Sequence, residues 1–133
     1  MKPTRASESH FGLNFIATGE DTNGRYFQCS TVIPAGDGGP PVHKHAHESE
    51  GFYVLSGSLT LAVDGREWEL KPGDFFNVPP GAAHTWRNES EHSAELIITF
   101  SPSGIEDMFR KLDEPGADFE KIGNRYGMTT IHP

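Results

Sequence analysis

From Leu13 onward the chain runs in short stretches that alternate apolar and polar residues between Gly- and Pro-rich turns, a period-two pattern that predicts strands. Leu13 to Thr18 reads as a strand, GEDTNG as a turn, and Tyr26 to Ile33 as a second strand rich in aromatic and β-branched residues. PAGDGGPP, from Pro34 to Pro41, has no ladder-forming sequence and reads as an irregular loop. Further strands are predicted from Val42 to His47, Glu50 to Leu55, Leu59 to Val63, Arg66 to Leu70, Phe75 to Val78, His84 to Arg87 and Ala94 to Phe100. Asp64-Gly65 is the strongest hairpin signal, because both central residues of a type I′ turn need positive φ. Eight to ten short strands with turns every five to ten residues predict an all-β barrel or sandwich.

The period changes after Phe100. Ser103 and Glu106 have capping-box spacing, so a helix is expected to begin there, with Ile105, Met108, Phe109 and Leu112 forming one apolar stripe. That stripe either packs on the barrel or covers a pocket mouth. Pro115 suits the first position of a second helix, with Phe119 and Ile122 on one face and Gly127 as its stop. No repeat and no dividing linker is visible, so 1–133 is read as one domain, with a barrel core at about 12–100 and a helical segment at about 103–127. Residues 1–10 are polar and expected to be loose.

Composition narrows the function classes. Only 35% of residues are apolar, with 15 Gly and 10 Pro, which matches a small, turn-rich core. The formal charge of −8 argues against nucleic acid and against an anionic membrane surface. Cys29 is the single cysteine and is expected to be a buried strand residue in a reducing compartment. MKPTRASESHFGLNF lacks the apolar run of a signal peptide, and a cytoplasmic location is the expectation.

The chemistry-bearing residues concentrate in two stretches. PPVHKHAHESEGFYVLSG carries His43, His45 and Glu50, and KPGDFFNVPPGAAHTWRN carries His84. His43 and His45 are two apart on a strand and project to one face. Three imidazoles and a carboxylate suit one first-row divalent ion (Fe, Mn, Ni, Co, Cu or Zn) and leave coordination positions open. His47 shares the parity of His45, so a shifted set of His45, His47, Glu50 and His84 is the alternative. His10, His92 and His132 lie in polar or terminal stretches and read as solvated. There is no nucleotide-binding glycine loop, no zinc-finger cysteine pair and no nucleophilic serine elbow, and no other cofactor is expected.

These two stretches resemble the paired motifs of the cupin superfamily. His43-Lys44-His45, four residues, Glu50, six residues and Gly57 fit the first motif, although none of Gly36, Gly38 and Gly39 has its usual spacing before His43. Gly73, Pro79, Gly81, His84 and Asn88 match the second at every position, and the tail KIGNRYGMTTIHP is similar to small bacterial cupins related to quercetin dioxygenases. The resemblance implies a double-stranded β-helix (jelly-roll) barrel with one or two short C-terminal helices, the metal inside, and a homodimer. It implies His43, His45, Glu50 and His84 as ligands. Asn88 is read as stabilising a turn or the barrel edge.

Phe52, Tyr53, Phe76 and Trp86 stand near the motifs and are the candidate substrate-pocket residues, with Phe52 and Trp86 favoured by sharing parity with Glu50 and His84. A cationic site of this kind favours a small oxygen-rich substrate, an enolisable or hydroxylated aromatic compound. Glu50 is the candidate general base as well as a ligand. Three classes follow: a metal-dependent dioxygenase-like oxidoreductase, a metal-dependent isomerase or lyase, and a module that binds a small ligand without turnover.

Overall fold

The computed structural model describes residues 1–5 and 8–132. Ala6, Ser7 and Pro133 fall outside it, so the expected loose tip is described only in part. In chain order the elements are β1 (Ser9–His10), β2 (Leu13–Ala17), α1 (Gly19–Thr22), β3 (Phe27–Ile33), β4 (His43–His45), β5 (Ser49–Ser56), β6 (Leu59–Val63), β7 (Arg66–Leu70), β8 (Phe75–Val78), β9 (His84–Arg87), β10 (Ala94–Ser101), α2 (Glu106–Leu112), α3 (Phe119–Arg125) and β11 (Met128–Thr130).

The strands form two antiparallel sheets with the orders β1-β2-β3-β10-β5-β8 and β11-β4-β9-β6-β7. This is the double-stranded β-helix that the resemblance implies. Alternation does the sorting. In β6, Leu59, Leu61 and Val63 turn inward, and in β10, Ala94, Leu96, Ile98 and Phe100 do. The interior is filled by these with Phe27, Cys29, Phe52, Val54 and Val78. Asp64 and Gly65 have φ of 49° and 81°, the pair a type I′ hairpin requires.

Four expectations need correction. GEDTNG contains the single turn of α1, because the Asp21 carboxylate accepts the Thr18 N–H at 2.9 Å and so caps it. Ser103 does not cap α2. Gly104 adopts φ 126°, which no helical turn includes, so the helix starts at Glu106. The buried Glu106 carboxylate instead accepts the N–H groups of Gly104 and Gly19, tying α2 to α1. Pro115 does not open α3 either. With Gly116 at φ 76° it forms a turn closed by Ala117 N–H to Glu114 O, and the helix begins after Asp118, whose side chain accepts from Lys121 N–H. Ile105, Met108 and Leu112 are buried as the stripe predicts. His10 is not solvated. It sits half-buried in β1 between Glu8 (3.0 Å) and Asp113 (3.1 Å).

β11 was not predicted. It runs antiparallel to β4, with Met128 opposite His45 and Thr130 opposite His43, and so braces the strand that carries two of the candidate ligands. No helix among the described residues is long and apolar enough to cross a membrane.

Candidate metal centre

The two sheets bring the four donors together from opposite sides. His43 and His45 lie on β4 and His84 on β9, where it is the register partner of both His43 and Val63. Glu50 comes from β5 of the other sheet, between Val78 and Phe100. All four are buried, and one donor atom from each lies within 4.8 Å of the others. Donors bound at about 2.0–2.2 Å to a common ion stand at most about 4.4 Å apart, so the set is close to assembled.

The protons are arranged for a cation. The ring Nδ1 of His43 is 2.8 Å from Pro41 O and that of His84 is 3.0 Å from Ala82 O. Each carbonyl accepts a proton from its Nδ1, which leaves Nε2 with the lone pair. His45 Nε2, 3.2 Å from Glu50 Oε1, is free to donate to it, yet His84 Nε2 stands 3.0 Å from the same oxygen. A lone pair facing a carboxylate oxygen at that distance is repulsive unless a positive charge sits between them. Protonation of His84 is one answer, and a metal ion serving all four donors is the other. Burial, and then the neighbouring His84, lowers His43 to about 4, so it is a neutral donor at pH 7. Burial alone would raise Glu50, but His45 and His84, when they carry the proton on Nε2 and donate it to the carboxylate, outweigh burial and hold it at about 2. Burial pulls His84 down, while the Glu50 carboxylate pulls it up more strongly, for a net rise.

A cavity of about 370 Å³ opens beside the donors, lined by His43, His45 and Glu50 at its buried end and by Trp86, Ile98 and Phe100 along its wall. Trp86 meets His43 edge-on at 5.8 Å. Phe52 is fully buried between Trp86 (5.6 Å) and His84 (6.2 Å), and it backs the site without lining the cavity. Tyr53 and Phe76 do not line it. Tyr53 is on the outer face of its sheet and 39% exposed, as its parity opposite to Glu50 requires. Phe76 packs on Trp68 at 4.9 Å.

His47 is exposed beyond the end of β4, with its ring over Gly127, and the shifted ligand set is not the one the fold assembles. His92 is exposed, and His132 is exposed beside Glu120. Asn88 is buried and bonds Ile33 O, His92 O and Ser90, the turn-stabilising role expected of it. One residue escaped the sequence reading. Glu48 is buried, burial raises its pKa, and neither its Oε1 nor His45 Nδ1 has a hydrogen-bond partner among the described residues. Its signal was its parity with Glu50, two residues on.

Residues 30–100 match the family model described as Cupin domain. The chain belongs to the cupin family. The quercetin 2,3-dioxygenase of Bacillus subtilis is 35% identical to this cupin over 100 residues, which are 75% of this chain and 29% of that protein. The 3-hydroxyanthranilate 3,4-dioxygenase of Burkholderia lata is 35% identical over 95 residues, 65% of this chain and 55% of that protein. The chain thus spans less than two thirds of either relative. Among solved structures, an RmlC-like cupin from Shewanella frigidimarina superposes with a TM-score of 0.61 at 28% identity, covering 78% of this chain and 88% of that one.

Proposed function

We propose that this cupin is a metal-dependent, dioxygenase-like oxidoreductase acting on a small enolisable or hydroxylated aromatic compound. The observation that carries the reading is the convergence of four buried donors, three of which (His43, His45 and Glu50) line the buried end of a cavity whose other walls are mostly aromatic and apolar. The two relatives named as dioxygenases, each 35% identical, support the oxidoreductase choice.

The residues present fit a divalent transition ion: His43, His45 and His84 would hold it through neutral nitrogens and Glu50 through an ionised oxygen. When bound, such an ion supplies Lewis-acid and redox chemistry next to the substrate oxygens. The chain's own contribution is orientation and proton transfer. The Pro41 and Ala82 carbonyls fix the His43 and His84 rings. Trp86, Ile98 and Phe100 exclude water and present a flat wall to an aromatic ring. Glu50, whose carboxylate lines the cavity, is placed to take the proton from a substrate hydroxyl onto its oxygen.

Oxygen uptake tests the proposal. Protein loaded in turn with each candidate metal is assayed on an oxygen electrode against a panel of catechols, hydroxyanthranilates and flavonols. Consumption of dioxygen in step with substrate is expected. Activity that survives strict anoxia would instead point to an isomerase or lyase. Glu50→Gln that retains its metal should lose at least about tenfold in turnover, and undiminished turnover would remove the base role.

A further inference from the structure

The cavity has two chemically different ends. Beyond Phe100 its lining continues outward through Phe109 of α2, Phe119 of α3 and Phe11 of the β1–β2 turn. Phe11 and Phe119 are 6.2 Å apart and nearly parallel, and Phe11 and Phe109 are 6.3 Å apart. Phe109 lies 5.7 Å from Phe100, whose ring abuts His45 at 5.6 Å. Aromatic faces therefore run unbroken from the solvent-facing Phe11, 45% exposed, to the donors. Phe11, Phe109 and Phe119 all lie outside the stretch 30–100 that matches the cupin domain.

Phe11 is the informative member. Its φ is 55°, a left-handed backbone that suits Asn, Asp or Gly at this position of a two-residue hairpin turn and opposes a bulky side chain. The turn is also fastened to the barrel wall, with the Thr31 hydroxyl donating to Gly12 O at 2.9 Å. The chain thus holds a half-exposed aromatic ring in a strained turn, directly over the cavity, and anchors it there. Strain retained at such a place is a mark of ligand contact.

We propose that Phe11, Phe109 and Phe119 form an aromatic clamp for the body of a flat ligand with more than one ring, while its vicinal oxygens face His43, His45, Glu50 and His84. This rests on the reading above that the site takes hydroxylated aromatics, and adds what recognises the rings. A volume of about 370 Å³ is at the small end of ligand cavities and leaves room beyond a single ring. Each stacked face contributes about three- to tenfold in affinity. On this account ring selectivity is carried by the N-terminal hairpin and the C-terminal helices, and the oxygen chemistry by the barrel.

The test uses catechol and naphthalene-2,3-diol, which share their hydroxyls and differ by one ring. Affinities are measured by calorimetry on the full chain, both metal-free and zinc-loaded, so that no turnover intervenes. The unmodified chain should prefer the naphthalenediol about tenfold. Phe11→Asn and Phe119→Ala should each cut that preference about three- to tenfold, and Phe11→Asn should melt no lower than the unmodified chain because Asn suits the turn. Equal affinity for the two diols, or a preference that neither variant alters, would overturn the clamp. A lower melting temperature in Phe11→Asn with preference intact would assign Phe11 to packing. A change of oligomeric state in that variant would assign the mouth to a subunit contact. Either result would also overturn it. Ring preference without oxygen uptake would end the dioxygenase reading and leave the clamp standing, and the converse would end the clamp alone.

Discussion

Gly39→Ala is expected to destabilise the cavity wall far more than Gly36→Ala, though both glycines lie in the same loop and have φ near 75–79°. Each alanine must adopt a left-handed backbone, at about 1 kcal/mol. At Gly36 nothing lies within 4 Å of the added Cβ, so that is the whole effect. At Gly39 the Cβ would stand 1.6 Å from Trp86 O and 2.8 Å from Trp86 C, both backbone atoms of β9. The loop must then retreat by well over an ångström. Its retreat breaks the bonds that hold it to β9 and to the residue that follows it, the Thr85 hydroxyl to Pro40 O at 2.7 Å and Asn88 N–H to Asp37 O at 2.8 Å. At about 1 kcal/mol for each bond, Gly39→Ala loses about 3 kcal/mol in all. An unfolding entropy of about 2.1 cal/mol/K per residue makes 1 kcal/mol worth about 3–4 °C for a chain of 133 residues. Scanning calorimetry should therefore show a fall of about 4 °C for Gly36→Ala and about 10 °C for Gly39→Ala. Because Gly39, Pro40 and Trp86 line the cavity, Gly39→Ala should also shift the tryptophan emission. Equal melting temperatures for the two variants would refute the packing of this loop on β9.

Two further outcomes follow from buried groups. Asn88 is 1% exposed and serves four hydrogen bonds, so Asn88→Ala should lose about 2–3 kcal/mol, a fall of about 7–11 °C, with metal content unchanged; a fall below about 3 °C, or lost metal, would contradict its turn-stabilising role. Burial pushes the Cys29 thiol far up, so its reactive thiolate is scarce in the native protein even at pH 8. A disulfide reagent should label it only after denaturation, and rapid labelling of the folded chain would show that β3 is not packed as described.

The fold was legible where a segment's sequence alone determines its state. β6, β7, β8 and β9 begin and end where alternation and turn residues place them, and Asp64-Gly65 closes its hairpin as its residue types require. The donor spacing was legible for the same reason, since side chains two apart on a strand must share a face. What escaped depends on partners distant in the chain. Met128 to Thr130 are a strand only because β4 offers an edge to pair with. Parity separates Tyr53 from Glu50 but cannot say that Phe76 finds Trp68, and Phe11 reaches the cavity only through the folding back of a hairpin and two helices. Glu48 had the parity of an inward residue but an acidic side chain, and charge concealed its burial.

The central claim is that four side chains from two sheets hold one divalent ion. Elemental analysis of the unmodified chain and of the His43→Ala, His84→Ala double variant, each incubated with a first-row divalent metal and desalted, tests it most directly. The account predicts about one ion per unmodified chain and none in the double variant, with the far-ultraviolet circular dichroism of the barrel preserved. Equal metal in both proteins would contradict it.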